Sequence, residues 1–176
     1  MFFELVKTRR SIRNYSQREV EAEKIETIIE AALRAPSGRG LRPWHLVVVT
    51  DKTILEKLAV AKPQGAEFLK SASAAVVVCG DTQKSPLWIE GCTIAAVFMQ
   101  LTAHALGLGS RWAHMRDNMY DATTSSRNYI ATMLGLPDNL DVECVIALGY
   151  ADEKLPPYKK EDLPFDQISY NSYDQK

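Results

Sequence analysis

Arginine side chains near the start of the sequence are the first candidates for a chemical role. Arg9, Arg10 and Arg13 lie within five residues, with Ser11 between them. A guanidinium group binds phosphate oxygens through paired, charge-assisted hydrogen bonds, and a serine hydroxyl can complete such a site. The cluster therefore suggests a phosphate site, although a solvated basic face after a short helix would contain the same residues.

A second basic pair, Lys159 and Lys160, follows a Pro-Pro-Tyr sequence much later in the chain. Two distant basic segments could meet around one phosphate group in the folded protein. The same lysines could equally be separate surface charges, since lysine is mostly found in contact with water. Both alternatives stay open on the sequence.

The loop at residues 36–44 is a second candidate for ligand contact. It contains Pro36, Ser37 and Gly38, and a glycine lets the backbone approach a ligand closely because it has no Cβ. A plain connection from a helix to a strand would use similar residues. Trp44 and His45 are expected to begin the next strand as packing residues.

Several well-known site signatures are missing from the sequence. The Gly-Arg-Gly at residues 38–40 is only a fragment of the dinucleotide-binding motif and follows a helix rather than a strand. There is no Cys-x-x-Cys, His-Glu-x-x-His or Gly-x-Ser-x-Gly, and the three histidines are far apart. No metal site and no catalytic side chain are predicted. If the protein is an enzyme, a cofactor is expected to supply the chemistry.

The composition is that of an ordinary globular protein with one domain. The 176 residues are 46% hydrophobic and 24% charged, and 21 basic against 22 acidic residues give a net charge of −1. Binding to nucleic acid or to an anionic membrane is therefore not expected. Three scattered cysteines, no signal-peptide pattern and no long apolar run predict a cytoplasmic protein without a membrane span.

Hydrophobic periodicity predicts helices and strands that alternate along the chain. The clearest helix covers residues 25–33, with apolar residues at i, i+3, i+4, i+7 and i+8, and Pro36 ends it. This alternation indicates a mixed architecture of helices and strands in one layered domain. Further helices are predicted over residues 2–8, 53–61, 92–108 and 125–134, and strands over residues 45–50, 74–79, 109–114 and 142–148.

Two of these regions have an unusual composition. Residues 92–108 are apolar on nearly all sides, which is typical of a helix surrounded by protein, either in the core or in a dimer interface. From residue 151 the chain is rich in Lys, Glu, Asp and Pro. This last stretch has little potential to form a core and is expected to wrap over another surface.

Six short motifs follow one another in a recognisable order. They are RRSIR at residues 9–13, AALRAPSG at 31–38, RPWH at 42–45, AHALGLGS at 103–110, LGLP at 134–137 and IALGY at 146–150. Over nearly its whole length the chain resembles the nitroreductase family of FMN-dependent oxidoreductases. The ordered set is specific to that family, although not to a substrate.

The resemblance implies an α+β fold, with a central mixed, largely antiparallel sheet flanked by helices in an intertwined homodimer. Residues 1–176 would form a single FMN-binding domain, and residues 151–176 would be a C-terminal extension that wraps over the dimer. FMN would lie at the subunit interface, and residues 92–108 would form the buried dimer core.

The implied activity is ping-pong hydride transfer from NADH or NADPH through flavin N5 to a small organic acceptor such as a nitroaromatic or a quinone. No protein nucleophile is needed for it. Two alternatives remain. One is a specialised flavin enzyme for reductive dehalogenation or flavin fragmentation, and the other is a non-catalytic FMN-binding redox module.

The resemblance also implies roles for individual residues. A cation near the flavin pyrimidine edge, here Arg13, stabilises the negative charge of reduced flavin. The phosphate would be held by Arg9 and Ser11 with Lys159 or Lys160, and Arg10 would contribute nearby. The ring would be approached by Pro36, Ser37 and Gly38 from the partner subunit, by Gln64 at its polar edge, and by the main-chain N–H groups of Ala113 and His114 on the N5 side.

The sequence departs from the family pattern in two places. The family often has Asn and Gln ahead of the Pro-Trp pair, where this chain has Gly40 and Arg42. The family commonly has a small residue or Cys and then Trp-Ile-Gly-Gly, where residues 111–115 here read Arg-Trp-Ala-His-Met. Larger side chains would narrow or reshape the substrate pocket, so the resemblance does not identify a substrate.

Overall fold

The computed structural model describes residues 2–173, in which five α-helices and four β-strands alternate much as the sequence predicts. Their bounds are α1 Phe2–Thr8, α2 Ala22–Leu33, β1 Trp44–Val49, α3 Lys52–Ala59, β2 Ala74–Asp81, α4 Trp88–Ala105, β3 Gly109–His114, α5 Ser126–Leu134 and β4 Leu140–Gly149.

The four strands form one sheet in the order β1-β2-β4-β3, and every neighbouring pair is antiparallel. The central strands β2 and β4 are buried along most of their length, which explains why their sequences read as continuous apolar runs. The predicted α+β class with a largely antiparallel sheet is confirmed. Outside these strands, Ser11 adds a single parallel bridge to Ser110 of β3.

Local signals fix several helix ends. The Asp51 carboxylate accepts a hydrogen bond from the Ile54 N–H at 3.1 Å at the start of α3, and the Ser125 hydroxyl accepts one from the Asn128 N–H at 3.2 Å at the start of α5. Gly135 ends α5 in the left-handed conformation, with φ of 65°.

Helix α4 packs with α2 on one face of the sheet, and α3, α5 and the short 3₁₀ turn Glu67–Lys70 cover the other. Cys92 and Met99 of α4 are fully buried, whereas Val97 is 44% and Phe98 is 38% exposed. An apolar strip of α4 is therefore left uncovered within one chain. The helix also begins four residues earlier than predicted, at Trp88.

One packing prediction at the start of β1 is wrong. Trp44 is buried as expected, but His45 is exposed. Successive side chains of a strand point to opposite faces, and His45 therefore lies on the face opposite Trp44. Among residues 2–173, no helix combines the length and apolar character needed to cross a membrane.

The C-terminal extension contains only two short 3₁₀ turns in its described part, residues 151–173. Residues 174–176 of the predicted extension lie outside the described range. Large apolar side chains in this segment remain exposed, namely Tyr158, Leu163, Phe165, Ile168, Tyr170 and Tyr173. None of residues 151–173 is buried, as expected for a segment with little potential to form a core.

Candidate functional site

The basic segment at residues 9–13 runs beside strand β3. The Ile12 N–H donates a hydrogen bond to the Ser110 carbonyl oxygen at 3.1 Å, and the Ile12 side chain is buried. A Cβ at Gly109 would lie 2.8 Å from Ile12 Cγ1, closer than side chains pack. Glycine at this position therefore lets the basic segment lie directly against the sheet.

A cleft of about 250 Å³ lies between this segment and the C-terminal extension. Arg9, Arg10, Ser110 and Lys154 are among the residues that line it. The Arg9 Nη1 atom is buried and has no hydrogen-bond partner, which is costly for a charged donor. An anion in the cleft would supply the missing acceptor. Ser11 lies next to the cleft in sequence but is not part of its wall.

Arg10 connects the basic segment to the extension. One of its guanidinium nitrogens donates to the Pro156 carbonyl oxygen, and its Cζ lies 4.2 Å from the centroid of the Tyr158 ring. Lys159 and Lys160 follow Tyr158, are exposed and do not line the cleft. Lys154 does line it, and sequence reasoning missed this residue because it is an isolated lysine among mixed charges.

A second cleft, of about 330 Å³, contains Arg13 and Arg111. The Arg111 Cζ lies 4.6 Å from the centroid of the Phe68 ring, and its Nη1 atom is buried without a hydrogen-bond partner. Burial, reinforced by the charge of Arg13, lowers the pKa of Arg111. Gln64 is exposed and does not line this cleft, whereas its neighbour Gly65 does.

Glu153 lies between the two clefts and holds the extension to the basic segment. Its Oε1 accepts hydrogen bonds from the backbone N–H groups of Arg13 and Asn14, the latter at 3.0 Å. These bonds, with the nearby charges of Arg13 and Arg111, keep the pKa of the Glu153 carboxyl below its usual range.

Replacing Glu153 by Gln should destabilise the protein by about 0.5–1 kcal/mol at pH 7, since this carboxylate is largely solvent-screened. Gln keeps an oxygen acceptor, so the difference reports the charge alone. A depressed pKa stabilises the fold above the unfolded value of about 4.3, and that contribution is lost as the pH falls further. The free energies of unfolding of the two proteins, measured in urea, should therefore converge toward pH 3.

The matched control is Glu161→Gln in the exposed extension. A loss of stability in Glu153→Gln that persists unchanged at pH 3 would contradict a stabilising charge at Glu153.

The loop with Pro36, Ser37 and Gly38 lies outside both clefts within one chain. The Ser37 hydroxyl accepts a hydrogen bond from the Arg42 N–H at 2.8 Å, and a Cβ on Gly38 would lie 2.8 Å from Leu87 Cδ1. The loop is thus held tightly, and the structure of one chain does not bring it to the arginines.

The end of strand β3 carries Ala113 and His114. Ala113 is fully buried in the core, and the His114 ring stacks on Trp112 with 6.3 Å between ring centroids. The His114 carbonyl oxygen accepts a hydrogen bond from Lys62 Nζ at 3.0 Å. Burial lowers the pKa of Lys62.

A buried ion pair supports this strand end, and sequence reasoning missed it. The pairing of β2 with β4 shifts at Cys79, which leaves Glu143 as the extra residue of a β-bulge. Arg116 Nε donates to the Glu143 carboxylate at 2.9 Å, and His114 Nδ1 lies 3.8 Å from its other oxygen. The available signal was a single acidic residue inside the apolar run of β4.

The three cysteines are buried thiols. Burial raises the pKa of both Cys79 and Cys92 to about 12, so neither is a thiolate at neutral pH. Within residues 2–173, no group of His, Cys, Asp and Glu side chains is arranged to hold a metal ion.

Comparison with known proteins decides the family. The model of the nitroreductase family matches residues 6–79 and 61–150. The chain belongs to the nitroreductase family. This nitroreductase-family chain is 37% identical over 164 residues to a protein of Archaeoglobus fulgidus provisionally named as an NADH dehydrogenase/NAD(P)H nitroreductase, with 90% of each chain covered.

Solved structures of the nitroreductase family have the same fold. An FMN-dependent nitroreductase from Clostridium difficile superposes with a TM-score of 0.95 at 43% identity, covering 97% of this chain and 99% of that one. A family protein from Desulfovibrio desulfuricans, solved in complex with FMN, superposes with a TM-score of 0.77 at 26% identity and covers 94% and 93% of the two chains.

Proposed function

We propose that this nitroreductase-family chain is an FMN-dependent oxidoreductase, in which bound FMN carries a hydride from NADH or NADPH to a small organic acceptor such as a nitroaromatic or a quinone. The observation that carries the proposal is the buried, unpartnered guanidinium nitrogen of Arg9 in a cleft that also contains Lys154. A phosphate there would satisfy a donor that the protein leaves unpaired.

We assign the two clefts to the two ends of FMN. Arg9, Ser11 and Arg10 would hold the phosphate, joined by Lys154 and by Lys159 or Lys160 at the far end of the chain. Arg13 would lie at the pyrimidine edge in the second cleft. Contacts to the ring would come from Gln64, from the main chain of Ala113 and His114, and from Pro36, Ser37 and Gly38 of a second subunit.

The protein's own contribution is to bind, orient and provide charge. No thiolate is available to act as a nucleophile, because the cysteines are buried thiols with raised pKa values. The arginines place positive charge beside the site, and β3, paired with β4 and bridged to Ser11, gives a fixed backbone next to them.

The proposal predicts that the purified protein binds FMN and that the bound flavin loses its visible absorbance under anaerobic NADH or NADPH. Fluorescence titration with FMN measures binding, and steady oxidation of NAD(P)H with a quinone or a nitroaromatic measures turnover. Binding without turnover would favour a non-catalytic redox module. Product analysis would reveal dehalogenation or flavin fragmentation. A protein that does not bind FMN would contradict the proposal.

We also propose a homodimer, over which the extension at residues 151–176 of this single domain wraps. Apolar side chains left uncovered within one chain support this. Phe2, Phe3 and Val6 of α1 and Val97 and Phe98 of α4 are all exposed. Phe2 and Phe98 also line one apolar depression. A contiguous uncovered surface of this kind is typical of a protein–protein interface.

Phe98→Glu should convert the protein to a monomer, because a carboxylate would be buried at the interface without a partner. Sedimentation velocity at equal concentrations measures the result. The matched control is Val60→Glu at the end of α3, an exposed apolar residue on the other side of the sheet, which should leave the dimer intact. A monomeric parent protein would contradict the proposed dimer.

A further inference from the structure

Arg111 is a cation in the second cleft that neither the fold nor an ion pair accounts for. Its side chain is partly buried and its Nη1 atom is fully buried and unpartnered. The Phe68 ring supports its guanidinium group at 4.6 Å, a cation–π contact that fixes the direction of the group without satisfying its N–H donors. The side chain is therefore held in place while its Nη1 donor has no acceptor.

Two carboxylates lie near Arg111, and both accept hydrogen bonds from backbone N–H groups rather than from a guanidinium group. Glu67, which also lines the cleft, shares the Gly65 N–H between its two oxygens at 2.8 and 3.0 Å, and Glu153 accepts from the backbone of Arg13 and Asn14. Among the residues that the structure describes, neither Arg13 nor Arg111 forms a salt bridge. Two guanidinium groups thus share one cleft without a direct counter-ion.

The other titratable groups around Arg111 add no negative charge to the cleft. Lys62 approaches from the segment before the 3₁₀ turn and adds a third cation, although its Nζ is bonded to the His114 carbonyl oxygen. Tyr15 is buried, its hydroxyl donates to the Ile12 carbonyl oxygen, and burial raises its pKa well above the usual range. The cleft is therefore suited to an anion.

We propose that Arg111 is a second guanidinium group that, together with Arg13, binds the pyrimidine edge of FMN and favours the reduced form. The inference rests on the proposed function. Reduced FMN bound here would carry one more negative charge than oxidised FMN, because a hydride from NAD(P)H brings two electrons and one proton, and the two arginines would stabilise that charge. A preorganised cation stabilises such developing charge because it needs no reorganisation.

Arg111→Met tests the inference, since Met keeps an apolar stem over Phe68 and removes the charge. The FMN dissociation constant is measured for the oxidised and the reduced protein, together with the two-electron midpoint potential. Reduced FMN should bind about tenfold more weakly relative to oxidised FMN, which corresponds to a midpoint potential about 30 mV lower. Arg111→Lys should recover part of this shift.

Arg127→Met is the matched control, because Arg127 pairs with Asp141 away from both clefts. It should leave the ratio of the two dissociation constants unchanged. Thermal unfolding of Arg111→Met without FMN identifies a purely structural effect. If the parent binds FMN and Arg111→Met keeps the parent ratio and potential, the inference is wrong while the proposed function stands. If the parent protein does not bind FMN, both the inference and the proposed function are wrong.

Discussion

Replacing Arg9 by Ala is expected to weaken FMN binding about a hundredfold. The Arg9 guanidinium has a buried nitrogen without a partner and forms no ion pair among the described residues, so the folded protein has no other use for its charge. A hydrogen bond to a charged group contributes about 1.5–3 kcal/mol, and a hundredfold change corresponds to about 2.8 kcal/mol, so one such bond to phosphate, near the upper end of this range, accounts for it. Quenching of FMN fluorescence on binding measures the dissociation constant.

Two matched variants show whether the effect of Arg9→Ala is specific. Arg34→Ala removes an exposed arginine directly after α2 that pairs with Glu30 at 2.5 Å, and it should leave FMN binding unchanged. Arg10→Ala should have a smaller effect than Arg9→Ala, because Arg10 is already bonded to Pro156 and stacked on Tyr158. Equal losses in the Arg9 and Arg34 variants would contradict a phosphate site at Arg9.

The basic residue that completes the proposed phosphate site can be identified by single substitutions in the extension. Lys154→Ala, Lys159→Ala and Lys160→Ala each remove one charge with little effect on the core, since all three side chains are exposed. The variant with the largest increase in the FMN dissociation constant identifies the lysine.

The largest loss of stability is expected for Arg116→Met. Glu143 is only 3% exposed, and the Arg116 guanidinium at 2.9 Å is its main counter-charge. Removing one partner of a fully buried pair costs about 3–5 kcal/mol, because the remaining charge is left uncompensated. The Arg116 side chain is 30% exposed, so we expect about 2–3 kcal/mol at neutral pH, measured by urea unfolding.

A second ion pair is the natural comparison for Arg116. Arg127 pairs with Asp141, and their side chains are 48% and 17% exposed, so Arg127→Met should cost about 1 kcal/mol or less. Adding Glu143→Leu to Arg116→Met should recover much of the loss, since no buried charge then remains. A double variant less stable than Arg116→Met alone would show that packing of the two side chains, and not their opposite charges, provides the stability.

Much of the fold could be predicted because its strongest patterns are local. The apolar run at residues 74–79 predicts a buried strand, and β2 lies there with two further residues at its end. The periodic helix before Pro36 is α2, which begins three residues earlier, at Ala22. The added residues, Ala22, Glu23 and Lys24, include no large apolar side chain and are not buried, so hydrophobic periodicity carries no signal there.

Parts of the candidate site could not be predicted because they depend on contacts between distant residues. Lys154 resembles any surface lysine until the extension is placed against Arg9. The buried position of Glu143 depends on a shift in the register between β2 and β4, and sequence periodicity does not show such a shift. Arg111 stood out as a departure from the family, but its unpartnered nitrogen and its place beside Arg13 follow from the folded chain.

The hydrogen bond from Arg10 to the Pro156 carbonyl oxygen joins residues 146 positions apart and holds the extension beside the first cleft. During synthesis, the N-terminal arginines leave the ribosome long before the residues that complete the cleft. At the proposed site, FMN binding energy would therefore not assist the early nascent chain and would become available only after residues 151–156 emerge. A chain that stops before this point would lack that stabilisation.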